Sequence, residues 1–199
     1  RNLSVLSAMI ALSQPLSDFQ LSLAVKTIHA GGVIAYPTEA IWGLGCDPWN
    51  IAAVNRILEL KQRPEAKGLI VVAGSVDQIR FLLDYLPAEQ QQKALGYWPG
   101  PYTCLLPDLQ KQMPPEVRGR HSSIAVRVSD HPLVRALCNA SGLPLVSTSA
   151  NPAGRQPARH SWHVRRYFPT GLDRLVPGQP GGYRQPSKII DIVSGQQLR

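Results

Sequence analysis

Apolar positions recur along this chain with two alternating periods. From Ser17 onward Leu21, Ala24, Val25 and Ile28 fall on one face at helical spacing, and Gly31-Gly32 closes the segment. Val33 to Tyr36 is then a short continuous apolar run, the mark of a buried strand. After a loop rich in Gly and Pro, Asn50 stands where a cap belongs, and Ala53, Val54, Ile57 and Leu58 form the inner face of a second helix ending near Lys61. Leu69 to Ala73 predicts another strand. Ser75 with Gln78 has the form of a capping box ahead of a helix with Ile79, Leu82 and Leu83 inward.

A further helix starts near Pro87 and breaks at Trp98-Pro99-Gly100-Pro101. Tyr102 to Leu106 and Ile124 to Val128 read as strands joined by a polar, Pro-containing loop. Asp130 is placed to cap a helix with Leu133, Val134, Leu137 and Cys138 inward, which Gly142 stops. Leu145 to Ser147 returns to a strand, Ser161 to Phe168 to a helix, and Leu175-Val176 and Ile189 to Val193 supply the last apolar segments. Strands alternating with helices predict an α/β fold. The missing crossover helix between Tyr102 and Val128 makes the sheet mixed rather than purely parallel. Residues 1–16 are expected to be an N-terminal extension and 17–199 one domain; Val5 to Leu12 is mildly apolar, but Ser7 interrupts it and no small-residue cleavage pattern follows.

Composition narrows the class. The 199 residues are 44% hydrophobic and 17% charged, values of a globular chain, and no run approaches the ~18 apolar residues of a membrane span. With 21 Lys and Arg against 13 Asp and Glu the formal charge is +8, which favours polyanionic partners such as nucleic acid or nucleoside polyphosphate. Cys46, Cys104 and Cys138 are odd in number and lack metal-ligand spacing, so free thiols in a reducing cytoplasm are expected. The five histidines form no metal set. Walker A, dinucleotide and G-x-S-x-G signatures are absent.

Four segments carry candidate chemistry. Lys61-Gln62-Arg63-Pro64, with Lys67 after it, crowds three cations into one loop, either as a polyphosphate clamp or as a solvated helix end complementing its dipole. Ser147-Thr148-Ser149-Ala150-Asn151 follows a strand, where open α/β sheets place ligands, and is equally a capped turn. Tyr36-Pro37-Thr38-Glu39-Ala40, followed by Gly43-Leu44-Gly45, is a loop that either approaches a ligand or simply turns. In Ser123 to Val128, alternation sets Ser123, Ala125 and Arg127 on one face. An Arg in an apolar strand requires an anion, from a protein carboxylate or from a ligand.

Taken in order, Tyr36-Pro37-Thr38-Glu39, Lys61-x-Arg63-Pro64, Trp98-Pro99-Gly100-Pro101, Ala125-Val126-Arg127, Ser149-Ala150-Asn151 and Ser187 resemble the YrdC/TsaC family of threonylcarbamoyl-AMP synthases, over roughly Leu21 to Val193. The resemblance implies a twisted, open mixed sheet with flanking helices around a basic cavity. It implies ATP, L-threonine and bicarbonate (or CO2) as substrates, Mg²⁺ accompanying the nucleotide, no protein-bound metal, and release of pyrophosphate. It assigns Lys61, Arg63, Lys67, Ser123, Ser149 and Asn151 to ATP, with Lys61, Arg63, Ser149 and Asn151 as the catalytic set. Thr38, Arg127, Ser147 and Ser187 fall to threonine. Downstream proteins would pass the threonylcarbamoyl group to tRNA. The chain departs from the pattern at Ala40, where a second Thr is common, and at Ser187-Lys188-Ile189, where Ser-Thr-Ile is usual. Ending at Arg199, it resembles the short, stand-alone form. Two rival readings are a non-catalytic module that holds double-stranded RNA or tRNA, and an enzyme that adenylates a plain carbamoyl group.

Overall fold

A computed structural model describes residues 16–182 and 187–198. All but Leu16 of the expected N-terminal extension therefore lies outside the described residues. Helix α1 (Asp18–His29) begins as expected, with the Ser17 hydroxyl accepting from the Gln20 amide at 3.3 Å. Strands β1 (Ile34–Pro37) and β2 (Trp42–Gly45) follow, then α2 (Ile51–Lys61), whose cap Asn50 accepts from Ala53 at 3.0 Å. Next come β3 (Ile70–Ala73), the single turn α3 (Arg80–Leu83), α4 (Ala88–Tyr97) and β4 (Tyr102–Pro107). A second single turn, α5 (Pro115–Arg118), precedes β5 (Ser123–Val128). The chain continues through α6 (Pro132–Ser141), β6 (Leu145–Ser149), α7 (Ser161–Tyr167), β7 (Arg174–Leu175) and β8 (Lys188–Asp191).

The strands form one eight-stranded sheet in the order β7-β1-β2-β6-β3-β5-β4-β8. It is mixed, as expected: β7/β1, β3/β5 and β4/β8 are parallel and the other neighbours antiparallel. The β4–β5 connection is antiparallel, so no crossover helix is needed there.

Register decides what each face carries. Ile70 pairs with both Ala125 and Ser147, Val72 with Arg127 and Leu145, and Gly43 with Tyr36 and Ser149. Period-two alternation then sorts the sheet. One face presents Ala35, Leu44, Val71, Cys104, Val126 and Val146 to the larger core, which α2, α3 and α4 cover with Ile57, Leu83 and Ala94. The opposite face is apolar only at one end, where Ile34, Tyr36, Val72 and Leu145 meet Ile28 of α1 and Leu137 and Cys138 of α6. Burying each such Leu, Ile or Val stabilises the fold by roughly 1.5–3 kcal/mol. The rest of that face carries Ser147, Ser149, Ala125 and Arg127, and no helix residue is among those lining the cavity there. The candidate site lies there.

Four local expectations need correction. The Gly-rich stretch after β1 is not simply a loop: Trp42–Gly45 is β2, paired antiparallel to β1. Gly45 is required there because a Cβ on it would stand 2.5 Å from the Val146 carbonyl oxygen and 2.7 Å from the Tyr36 ring. The capping box at Ser75 does not form. Gln78 instead accepts from the Gly74 amide at 2.8 Å and donates to the Cys138 carbonyl at 2.7 Å, and the segment opens as a 3₁₀ turn. Asp130 does not cap α6: the cap position is His131, Pro132 supplies the first helical residue, and the His131 amide donates to the Ser129 hydroxyl at 3.1 Å. The polar loop between β4 and β5 contains the turn α5.

Candidate functional site

A cavity of about 270 Å³ opens on the uncovered part of this face. Its walls come from the β1–β2 turn (Thr38 to Ile41), the start of β3 (Leu69, Ile70), Arg127 of β5, the end of β6 (Ser147 to Ser149), Arg63, Pro101, Pro157 and Ser187. The β1 and β6 strands both end here, which brings the second and third sequence motifs side by side.

Thr38 is held at the end of β1 by its own turn, its hydroxyl donating to the Ile41 carbonyl at 2.9 Å. Ser147 projects from the sheet beside Tyr36, whose phenol burial pushes to a higher pKa. Ser187, also buried, exchanges a 2.8 Å hydrogen bond with the Thr103 hydroxyl. Thr38, Arg127, Ser147 and Ser187 thus line one cavity.

Arg127 finds its anion in the protein. Its guanidinium stands 3.2 Å from Glu39 Oε2, with side-chain exposures of 10% and 5%. The other oxygen of Glu39 accepts from the Ser129 hydroxyl. Among the described residues Glu39 is the one carboxylate lining the cavity. The sequence reading quoted Glu39 within its motif without giving it a role; the signal was the demand of a buried Arg for a partner.

The cation loop is built differently from an open clamp. Lys61, at the last turn of α2, is buried, and its ammonium donates to the carbonyl oxygens of Ser149 and of Asn151, the latter at 2.9 Å, with the Ser149 hydroxyl at 3.5 Å. Lys61 therefore lies beneath the Ser149–Asn151 segment and fixes it to α2. Burial first, and then the Arg63 charge, lower its pKa to about 8. The backbone turns at Gln62, which takes φ +50°, and this directs Arg63 away from the helix. Arg63 lines the cavity, with Nε and one terminal nitrogen donating to the Gly68 carbonyl at 3.0 and 2.9 Å. The rest of its fork is left for another acceptor.

Asn151 closes its own loop, its amide donating to the carbonyls of Pro152 at 3.1 Å and Arg155 at 2.8 Å, while Oδ1 is buried without a hydrogen-bond partner. Four of the residues expected at ATP do not line the cavity: Lys61 and Asn151, which bond to each other, Lys67, exposed at the end of a 3₁₀ turn, and Ser123, half-buried at the start of β5 and paired with Pro107. No described cluster of His, Cys, Asp and Glu could hold a metal ion. The three cysteines are free and buried, and no described helix is long and apolar enough to cross a membrane.

Residues 26–199 match the Sua5/YciO/YrdC family, whose description is telomere recombination. A threonylcarbamoyl-AMP synthase of Marinobacter nauticus is 70% identical over 183 residues, covering 92% of this chain and 96% of that protein. One of Pseudomonas aeruginosa is 54% identical over 184 residues, covering 92% and 98%. Among solved structures, P. abyssi Sua5 complexed with L-threonine superposes with a TM-score of 0.85 at 29% identity, over 94% of this chain and 55% of that one. E. coli YciO superposes with a TM-score of 0.77 at 24% identity, over 90% and 86%, a likeness of fold.

Proposed function

The chain belongs to the Sua5/YciO/YrdC family, and from that premise we propose that it is a nucleotidyltransferase making threonylcarbamoyl-AMP from L-threonine, bicarbonate or CO2, and ATP. The observation that carries this reading is the convergence of two loops on one cavity. The Arg127–Glu39 pair, Thr38 and Ser147 form its floor, while Arg63 and Ser149, the latter held by Lys61, form its rim.

Threonine occupies the floor. Its carboxylate meets Arg127, and the hydroxyls of Thr38, Ser147 and Ser187 read its polar groups, as selection against an isosteric apolar side chain demands. The triphosphate of ATP lies along the rim against Arg63, Lys61, Ser149 and Asn151, with Lys67 and Ser123 farther out along the nucleotide. The threonine ammonium first loses a proton; the freed amine attacks the carbon of CO2 and loses a second proton to give the carbamate. A carbamate oxygen then attacks the α-phosphorus, and the bond from that phosphorus to the bridging oxygen breaks to release pyrophosphate. Such a transfer needs alignment and neutralisation of charge on the leaving group more than covalent help. Arg63 and Lys61 supply that charge.

Mg²⁺ bound with the nucleotide would help neutralise the phosphate charge, beside Arg63 and Lys61. A module that merely held RNA would need charge and shape on an open surface, with no use for a small polar cavity. A carbamoyl adenylation enzyme would not need the hydroxyls of the floor. The product's destination is tRNA, through downstream modification proteins in the cytoplasm.

The test is purified protein with radiolabelled threonine, bicarbonate, ATP and Mg²⁺, assayed for threonylcarbamoyl-AMP and pyrophosphate. Product that requires every substrate supports the reading. Folded protein that binds RNA and makes no adenylate overturns it.

A further inference from the structure

A second cavity, of about 390 Å³, opens where the chain enters β1, between the last turn of α1, α2 and the edge strand β7. Lys26, Thr27, Gly31, Arg56, Asp173 and Arg174 are among its lining residues, and the adenylation chemistry uses none of them. Gly32 lets its walls approach: a Cβ there would stand 2.5 Å from Thr27 Cγ2 and 3.2 Å from Asp173 Oδ2.

The negative groups of this cavity are already spent. Asp173 is its one acid among the described residues, and Oδ2 accepts from Arg56 at 2.6 Å and from the Val33 amide at 2.7 Å. Arg56 and Asp173 therefore neutralise each other. The C-terminus of α1 would ordinarily repel an anion. Here the carbonyls of Lys26, Thr27 and Ile28 accept from the amides of Ala30, Gly32 and Gly31 at 3.0, 2.8 and 3.0 Å, and the Gly31 carbonyl accepts from Arg56 at 3.3 Å. What remains is positive. Lys26 is exposed, and its ammonium has no protein partner among the described residues. Arg174 uses only Nε, which donates to the Thr27 hydroxyl at 3.0 Å, and that hydroxyl is fixed in turn to the Leu23 carbonyl at 2.8 Å. The guanidinium is thus anchored by one edge, with no acceptor for its two terminal nitrogens among the described residues.

We propose that this cavity binds a phosphoryl dianion, from free phosphate or from a small phosphomonoester. Arg174 supplies a planar fork for two phosphate oxygens and Lys26 a mobile point charge. Two unspent cations match two negative charges, which a carboxylate or chloride does not bring. The site is separate from the adenylation cavity and does not depend on how that cavity is read.

The experiment is a titration with inorganic phosphate, at pH 7.5 and constant ionic strength, followed by the ¹H–¹⁵N signals of the labelled protein. The Gly31 and Gly32 amides and the Arg174 Nε–H are expected to shift along a saturating curve, while sodium chloride at equal ionic strength leaves them in place. Arg174→Gln and Lys26→Gln should each weaken the curve at least fivefold, read at the two glycines. Arg63→Ala should leave it unchanged, since Arg63 lines the other cavity. Arg80→Gln, which removes an exposed charge on α3, should change it less than twofold. Unchanged signals elsewhere verify the fold of each variant. Glycerol 3-phosphate separates the two sources: a tighter curve assigns the site to an ester, an equal or weaker one to free phosphate. Shifts that never saturate, that chloride reproduces, or that Arg80→Gln weakens as much as Arg174→Gln would mean general attraction by a basic protein and would overturn the proposal. The wild-type comparison with chloride decides this whether or not a variant folds.

Discussion

The ammonium of Lys61 stands 2.9 Å from the carbonyl oxygen of Asn151, joining the end of α2 to a loop 90 residues away. The same ammonium holds the Ser149 carbonyl. Lys61 is thus both a charge and a brace, and the two roles have different signatures. Lys61→Ala is expected to lower adenylate formation about a hundredfold, the cost of removing one preorganised donor from a transition state. Arg63→Ala should lower it at least tenfold. Lys61→Arg should not restore activity, because a planar fork cannot occupy the small space between two carbonyls. Pyrophosphate release under saturating substrates checks each variant.

The depressed Lys61 pKa gives ATP binding a pH dependence. Burial and the Arg63 charge bring it to about 8, so the cation is fully present below that pH and lost above it. A bound polyphosphate favours the charged form and raises the pKa, so the complex holds a proton that the free protein has released. Affinity should be level below pH 8 and then fall, approaching tenfold per pH unit until the pKa of the complex is reached. Calorimetry with ATP from pH 6.5 to 9.5 measures it, and Lys61→Ala should lack this limb.

Arg127→Ala should remove threonine binding and also destabilise the fold by about 3–5 kcal/mol, since it leaves the Glu39 carboxylate buried and unpaired. Removing both charges, as Glu39→Gln with Arg127→Met, should recover most of that loss without restoring function. Urea denaturation of Glu39→Gln, Arg127→Met and the double variant closes the cycle.

The alternation in Ser123 to Val128 was enough to set Arg127 on the site face and to demand an anion for it, because a two-residue period survives whatever packs above the strand. It could not name Glu39, since the meeting of β1's end with β5 depends on register across the whole sheet. Likewise Lys61 was legible as a cation at a helix end, while its burial under Ser149–Asn151 depends on where β6 emerges. β2 was missed because two of its four residues are glycines, and Gly45 sits in the strand for its close approach to Tyr36 and Val146 rather than for propensity. The Ser75 box failed because Gln78 found tertiary partners in Gly74 and Cys138 that a local pattern does not contain.

The close approach at β2 is testable on stability. Gly45→Ala places a methyl group 2.5 Å from the Val146 carbonyl oxygen and 2.7 Å from Tyr36, both in the buried sheet. Neither strand can retreat without breaking its pairing, so a loss of about 1–3 kcal/mol is expected. Thermal or urea unfolding measures this loss.

Thr103 tests the proposed threonine residues apart from those proposed for ATP. It is fully buried on β4, and its hydroxyl meets Ser187 at 2.8 Å, fixing one wall of the cavity. Thr103→Val keeps the shape and removes that hydrogen bond from Ser187. A hydrogen bond of this kind contributes about 1 kcal/mol, so the KM for threonine should rise roughly fivefold. The KM for ATP should stay unchanged, because no ATP residue touches Thr103, and kcat should move little. Thr103→Ser, which restores the hydroxyl, should recover most of the lost affinity. Steady-state kinetics with each substrate varied in turn would distinguish this outcome from a general loosening of the fold, in which both KM values would rise and the serine variant would rescue neither.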